Sequence, residues 1–298
     1  MLFYCLFILI PQQRIEISYD INISCCSFQN IHSSQSGTCI FCGQSPAIIS
    51  VRDSEFFNNY NSGNLYGSVY IIAKVSILEK LVFYNNSGFL ASSLYVDGKS
   101  NATCIALSNS QSRDQYGILT IDGVTFDYLN FSYCQSRLAS SIRLKSSSQR
   151  SSMFFTQIHN CKSTEGELVE ITNTYIKYVS LIQNNYGISK WGLIRMSYSN
   201  SEMMYSTILM NSGSPLLTSY SALLKLSYCY TNEGSSSFSL CTDLSNCQFG
   251  ETQVSYYISM NTQTCNYYEN CNVYLTLHQS KHSFKFSILA IFYLLLLG

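Results

Sequence analysis

Few residues in this chain stand at a spacing that does chemistry. Cys39 and Cys42 form a C-x-x-C pair, CIFC. A structural zinc site needs four ligands, and no second C-x-x-C follows. No metal is expected, and the pair reads better as part of a disulfide set. Arg143-Leu144-Lys145 places two cations two residues apart, which reads as alternate outward positions of a strand. Acid–base work or calcium binding requires clustered carboxylates. The 17 Asp and Glu are instead spread along the chain with no D-D and no N-x-D, and His32, His159, His278 and His282 fall in no catalytic register. The expectation is no catalytic residue and no cofactor. Four N-x-S/T sequons, at Asn22, Asn85, Asn101 and Asn130, are candidate glycosylation sites of a secreted chain. Their number is also what chance gives in a chain so rich in Asn, Ser and Thr.

The composition limits what else the chain does. Of 298 residues only 11% are charged and the net charge is zero. Nucleic-acid binding needs a basic patch or stripe, and the Lys and Arg are scattered, so no nucleic-acid partner is expected. An apolar content of 46% is too high for a disordered chain. The 24 Tyr and 17 Phe with only 3 Pro mark a β-rich chain with many turns.

Two phrases recur and set the architecture. The first is an apolar residue followed three positions on by Asn or Cys. It reads FFNN (56–59), FYNN (83–86), ALSN (106–109), FSYC (131–134), IHNC (158–161), IQNN (182–185) and ILMN (208–211), with a loose copy, SFQN, ending at Asn30. Its last residue recurs every 23 to 27 positions. The second phrase sets one outward residue between two apolar ones: AIISV (47–51), GSVYI (67–71), SSLYV (92–96), GILTI (117–121), SSIRL (140–144), ELVEI (167–171), GLIRM (192–196) and ALLKL (222–226). Apolar spacing of two is that of a strand, not a helix, and side chains alternate between faces along a strand. A fixed period of 20–50 residues is the mark of a repeat array.

Stacked at the inter-strand distance of about 4.8 Å, such units make an all-β, right-handed parallel β-helix. The expectation is eight or nine coils of 23–30 residues. Residues 1–14 read as a signal peptide, 15–45 as an N-terminal cap and first coil, and 46–230 as the β-helix. Residues 231–276 read as a Cys-rich coil and cap, and 277–298 as a polar spacer and apolar tail. Asn59, Asn86, Asn109, Cys134, Cys161, Asn185 and Asn211 are expected to form one ladder, bonded along the axis through their side chains. Cys134 and Cys161 would then be neighbours, either joined as a disulfide or stacked as two thiols. Outside, Tyr70 and Tyr95 share a row and are the best candidates for ligand contact. The alternative is an aromatic ladder that only stabilises the sheet. Further along, Arg143, Glu170 and Arg195 would form a stripe of paired charges.

The 13 cysteines bear on compartment. Removing Cys5 with the apolar opening leaves an even number, as disulfides in an oxidising compartment require. The terminal run from Phe286 to Leu297 would span only about 18 Å as a helix, short of a bilayer core of about 30 Å. It reads as a removable lipid-anchor signal, with a truncated membrane span as the alternative. The chain is expected outside the cell, secreted or held at the membrane by this tail.

FxxN at Phe56–Asn59 and Phe83–Asn86, followed by YGSV, ASSL, YGIL, ASSI and WGLI, resembles the FxxN and GGA[ILV] repeats of chlamydial polymorphic outer-membrane proteins. Protist surface proteins with parallel β-helix repeats look similar. The resemblance covers about residues 28–230. It implies a surface-exposed β-helix that works in adhesion, with a host or neighbouring cell-surface glycan or protein as partner. No counterpart of the bacterial family's C-terminal membrane barrel is expected in these 298 residues. Pectate lyases and polygalacturonases share the fold type, and Arg143-x-Lys145 is similar to the R-x-K of the latter. That makes a polysaccharide-processing enzyme the alternative, and a passive coat protein a third reading.

Overall fold

The computed structural model describes residues 14–249 apart from 25, 44–47, 146–149, 173, 183–185, 188–192, 198–200, 205, 210–216, 221–223 and 232–242. Every described element is a strand, and every pairing is parallel. The chain winds as a β-solenoid with four sides. Three sides belong to one sheet and the fourth is a row of two-residue strands. Seven of these short strands lie in register, from His32–Ser33 to Tyr186–Gly187, and enclose six turns.

Single strands bend across several sides. Val69–Tyr84 and Ala91–Ser108 each supply the first, second and third faces of one turn. Two devices make the corners. Between first and second faces stands Gly98, with φ of 116°. A Cβ there would lie 1.9 Å from the Ala73 carbonyl oxygen of the turn below, so only glycine allows the contact. Two further corners use left-handed residues. Between second and third faces these are Asp53, Lys80, Cys104, Tyr128, Phe155, Tyr228 and Asn246. After the third face they are Asn30, Asn58, Asn85, Asn109, Tyr133 and Asn160. Asn tolerates this backbone best among residues with a side chain, which is why it recurs at the last corner.

The interior is a set of apolar columns. Ile40, Val69, Leu94, Ile118, Ile142, Val169 and Ile194 stack up the first face, all nearly inaccessible. On the third face Phe28, Phe56 and Phe83 stack with centroids 5.0 and 4.6 Å apart, and Leu107, Phe131 and Ile158 continue the column.

Beside that column lies the polar ladder, and its membership differs from the expectation. Ile31, Asn59, Asn86, Ser110, Cys134 and Cys161 are buried at this rung. Asn109 stands one position earlier, exposed and left-handed, so the repeat there is Leu107-Ser108-Asn109-Ser110. The same shift puts Ile31, not Asn30, on the inner rung. Asn185 and Asn211 lie outside the described residues. The bonding also differs. The Asn86 side chain accepts from the Asn59 backbone N–H (3.0 Å) and donates to the Phe56 carbonyl (2.8 Å). Asn59 does the same to Ile31 and Phe28, at 3.0 Å each. Each buried amide therefore satisfies the backbone of the turn below, where the corner leaves strand groups without strand partners. The side-chain ladder exists on the outer rung, where Asn85 Nδ2 donates to Asn58 Oδ1 (2.9 Å).

Three phrases also change place. AIISV and ALLKL belong to the second face, not the first: Ile49 pairs with Ile21 and Ser76, and Lys225 with Glu202. The first face instead begins with Ile15–Glu16 and Ile40–Cys42 and ends with Leu217–Tyr220. In GILTI the inward residues are Ile118 and Thr120, and Leu119 faces out. Each face has its own inward pair, so a two-residue alternation alone does not say which face a strand joins. The two ends, residues 1–13 and 250–298, lie outside the described residues. So do Cys25, Cys241, Cys265 and Cys271 of the expected caps.

The two Asn rungs predict opposite sensitivities. Asn86→Ala orphans two buried backbone groups and is expected to cost about 1–3 kcal/mol for each. Asn109→Gly is expected to cost almost nothing, and Asn109→Ala about 1–2 kcal/mol from the backbone alone. Denaturation midpoints of the three variants check this; equal losses at positions 86 and 109 would contradict the assignment.

Candidate functional site

The outward row of the first face runs Phe41, Tyr70, Tyr95, Leu119, Arg143, Glu170 and Arg195. Its aromatic half uses its ring faces on its own neighbours. Phe41 and Tyr70 stack at 5.3 Å and 12°, Tyr70 and Tyr95 at 4.7 Å and 7°. Tyr66 packs on Tyr70 and Tyr95 at 5.3 and 4.2 Å, and Arg14 covers Phe41 at 4.6 Å. Only 6% of Tyr95 is accessible. The rings lie face to face along the axis, so a sugar finds edges rather than free faces. Burial, and then the nearby Asp97 carboxylate, raise the Tyr95 and Tyr66 hydroxyls above the ordinary tyrosine value. The geometry therefore gives Tyr70 and Tyr95 a packing role rather than the ligand contact the sequence suggested.

The charged half satisfies itself. Arg143 meets Glu170 at 3.2 Å, lies 5.0 Å over the Tyr116 ring and donates to its hydroxyl. Arg195 meets Glu167 at 3.2 Å and Glu170 at 4.0 Å. Burial pushes Glu170 up, against the opposing pull of Arg143. Burial likewise pushes Tyr116 to about 12, with Arg143 opposing. Two arginines and two carboxylates share one half-buried network, so the R-x-K arginine is spent on the fold. Lys145 is exposed. Cys39 and Cys42 are core residues, and among the described residues no group of three or more His, Cys, Asp or Glu gathers as for a metal.

A different surface has open ring faces. It follows the corner after the third face. Three rows run side by side along the axis. The last third-face residues give Gln29, Phe57, Tyr84, Ser108, Ser132 and His159. The left-handed rung gives Asn30, Asn58, Asn85, Asn109, Tyr133 and Asn160. The short strands give His32, Tyr60, Ser87, Gln111, Gln135 and Lys162. Tyr133 is 54% accessible, Tyr84 38% and Tyr60 37%, among the most exposed large side chains described. Their ring contacts are tilted or edge-on: Phe57–Tyr84 at 35°, Tyr133–His159 at 77°, His32–Tyr60 at 60°. No neighbour stacks flat on Tyr84 or Tyr133, while Arg113 covers one face of Tyr60, and amides stand between the rings. Burial lowers the His159 imidazole, favouring its neutral form.

Beside these rows is an open groove of about 260 Å³, lined by Gln111, Gln135, Arg137, Thr164 and Glu165 among others. Its charges are paired: Arg137 meets Asp114 at 2.6 Å and Glu165 at 3.6 Å. Arg113 donates to the Asn61 and Gly63 carbonyls and lies over Tyr60 at 5.6 Å. The surface is thus polar and nearly neutral. Two candidate glycosylation sites, Asn85 and Asn101, are exposed. Asn22 and Asn130 are half-buried, each with an inaccessible, unbonded Oδ1. Asn85 lies within the corner rows, so a glycan there would cover Tyr84.

This surface was present in the repeated phrase itself. In FYNN, Phe83 points in, Tyr84 out, Asn85 turns the corner and Asn86 is buried. The second and third letters are the outward ones, and the signal was the recurrence of aromatic or amide residues there. No family model, no curated protein and no solved structure matches the chain.

The buried hydroxyls on the first face carry a pH prediction. Tyr116 holds its proton more tightly folded, at about 12, than the ordinary value of 10. The unfolded chain ionises first, so the contribution is intact below pH 10 and is lost as pH rises towards 12. Tyrosinate absorbance should therefore appear in part only as the fold is lost in that window. Full, reversible ionisation of every tyrosine near pH 10 with the fold intact would contradict the burial.

Proposed function

We propose that this β-solenoid is a non-catalytic binding protein that takes a neutral linear glycan along the corner formed by Tyr60, Tyr84 and Tyr133. The observation that carries the reading is the set of three outward rows in register, in which the exposed rings of Tyr60, Tyr84 and Tyr133 stand among Asn and Gln amides. Sugar rings present apolar faces and a fringe of hydroxyls. Free aromatic faces meet the first, and amides, with both donors and acceptors, meet the second. Repetition at the strand spacing suits a repeating ligand. The paired charges of Arg113 and Arg137, and the zero net charge, disfavour a polyanion.

In this reading the chain is displayed outside the cell, secreted or held at the membrane by its apolar tail. The glycan belongs to a host or neighbouring cell surface, and the role is adhesion. The enzyme alternative needs carboxyls free to exchange protons with a substrate; Glu167 and Glu170 are instead engaged by Arg143 and Arg195. A coat protein would need no open rings along one corner.

Binding to an array of neutral and acidic glycans tests the proposal. Retention of a neutral class is expected, weakened about tenfold or more in Tyr84→Ala and Tyr133→Ala, since each lost contact of about 1.4 kcal/mol is a factor of ten. Tyr70→Leu should bind as the parent does. Binding to no glycan, or equal binding by all variants, would overturn the reading. Release of reducing or unsaturated ends from polyuronides would favour the enzyme instead.

A further inference from the structure

Cysteine occurs as an adjacent-turn pair at two different corners. At the corner after the third face, Cys134 and Cys161 occupy one rung of consecutive turns. Ser132 pairs with His159 just before them, and Gln135 with Lys162 just after. At the corner between second and third faces, Cys229 and Cys247 do the same, flanked by the pairs Ser227–Ser245 and Tyr230–Gln248. Local geometry repeats four times. Each cysteine follows a left-handed residue: Tyr133, Asn160, Tyr228 or Asn246. Each sulfur also contacts the carbonyl two residues back, at 3.5, 3.5, 3.4 and 3.7 Å. The four side chains therefore point the same way, inward at the corner. Cys134, Cys161 and Cys229 are buried in the common core, with Cys247 packed against it. Neighbouring turns lie about 4.8 Å apart, within the Cα separation of 4.4–6.8 Å that a disulfide spans.

At the same rungs, other turns carry Asn59, Asn86 and Ser110, or Ser54 and Ser206, bonded to backbone. Still other turns carry Ile31, or Leu81, Ile105 and Leu129, at these rungs, so the ladder needs only packing and at most one polar contact. Two neighbouring cysteines at one rung, twice, exceed that need.

We propose that Cys134–Cys161 and Cys229–Cys247 are covalent staples between consecutive turns, closed by exchange with a low-molecular-weight disulfide while the corners form. The thiolate of one cysteine attacks the small disulfide, forming a mixed disulfide and releasing one small thiolate. The second cysteine, as thiolate, then attacks the protein sulfur of that mixed bond and releases the other. Two protein thiols lose two protons and two electrons, and one small disulfide is reduced to two thiols. Exchange of this kind runs through the thiolate, so it belongs to folding. Once the corner has closed, both Cys134 and Cys161 are buried, out of reach of an attacking thiolate, and the closed pair resists further exchange.

The test uses the full chain, refolded in a mixture of reduced and oxidised glutathione, denatured, and alkylated before digestion. Arg137, Arg143, Lys145 and Arg150 lie between Cys134 and Cys161, and Glu233 between Cys229 and Cys247, so tryptic and glutamate-specific cleavage separate both pairs. Mass spectrometry should find the two linked peptides, each lost on adding dithiothreitol. In Cys134→Ser the first link should vanish, with Cys161 recovered alkylated and the second link unchanged. Recovery of either pair as alkylated thiols, or linked to other cysteines, would overturn the proposal.

Discussion

Each turn of this chain must lie in register on the one below, at the spacing of parallel strands. The apolar columns, the corners and the outer rows all follow from that constraint. A residue at any rung meets its counterpart a turn away, so columns such as Phe28–Phe56–Phe83 form by repetition. The corners set the difficulty. There the backbone leaves the ladder, and its N–H and C=O groups need other partners. Asn59 and Asn86 supply them from their side chains. One position earlier, the left-handed residue turns the chain and stays outside. Inner bonding and outer exposure are thus coupled at adjacent residues.

That coupling separates packing from recognition. On the first face the outward tyrosines use their faces on one another, and the outward arginines use their charge on Glu167 and Glu170. At the corner after the third face, Tyr84 has Ser108 on one side and a tilted Phe57 on the other, and Tyr133 stands between Asn109 and Asn160, so neither ring is stacked flat. Their faces remain available. The same repetition that fills one side with self-contacts leaves open chemistry on another, and the glycan proposal rests on that difference.

Much of this was legible in the sequence. A two-residue alternation recurring with a near-constant period leads to stacked parallel strands, and the described structure is such a solenoid. The inner ladder was readable at Asn59, Asn86, Cys134 and Cys161. It was misread at Asn109 because ALSN and LSNS satisfy the same four-letter pattern with a shift of one. AIISV and ALLKL were placed on the wrong face because every face carries an inward pair, and only the corner residues tell the faces apart. Tyr70 and Tyr95 were singled out because outward aromatics look alike in a sequence. Stacking consumes their ring faces, and only the relative orientation of neighbouring turns reveals that. The surface at Tyr84 and Tyr133 was hidden within the phrase read for its buried letters.

The register itself is open to direct measurement. Asn101, Thr125, Ser152, Tyr175, Glu202 and Lys225 occupy one outward row of six successive turns. Spin labels attached through non-cysteine chemistry at positions 101 and 225 should lie about 24 Å apart, five steps of about 4.8 Å, with a narrow distribution by pulsed dipolar spectroscopy. A broad distribution, or a separation far from five steps, would contradict the stacking on which the corners, the columns and the exposed rows all depend.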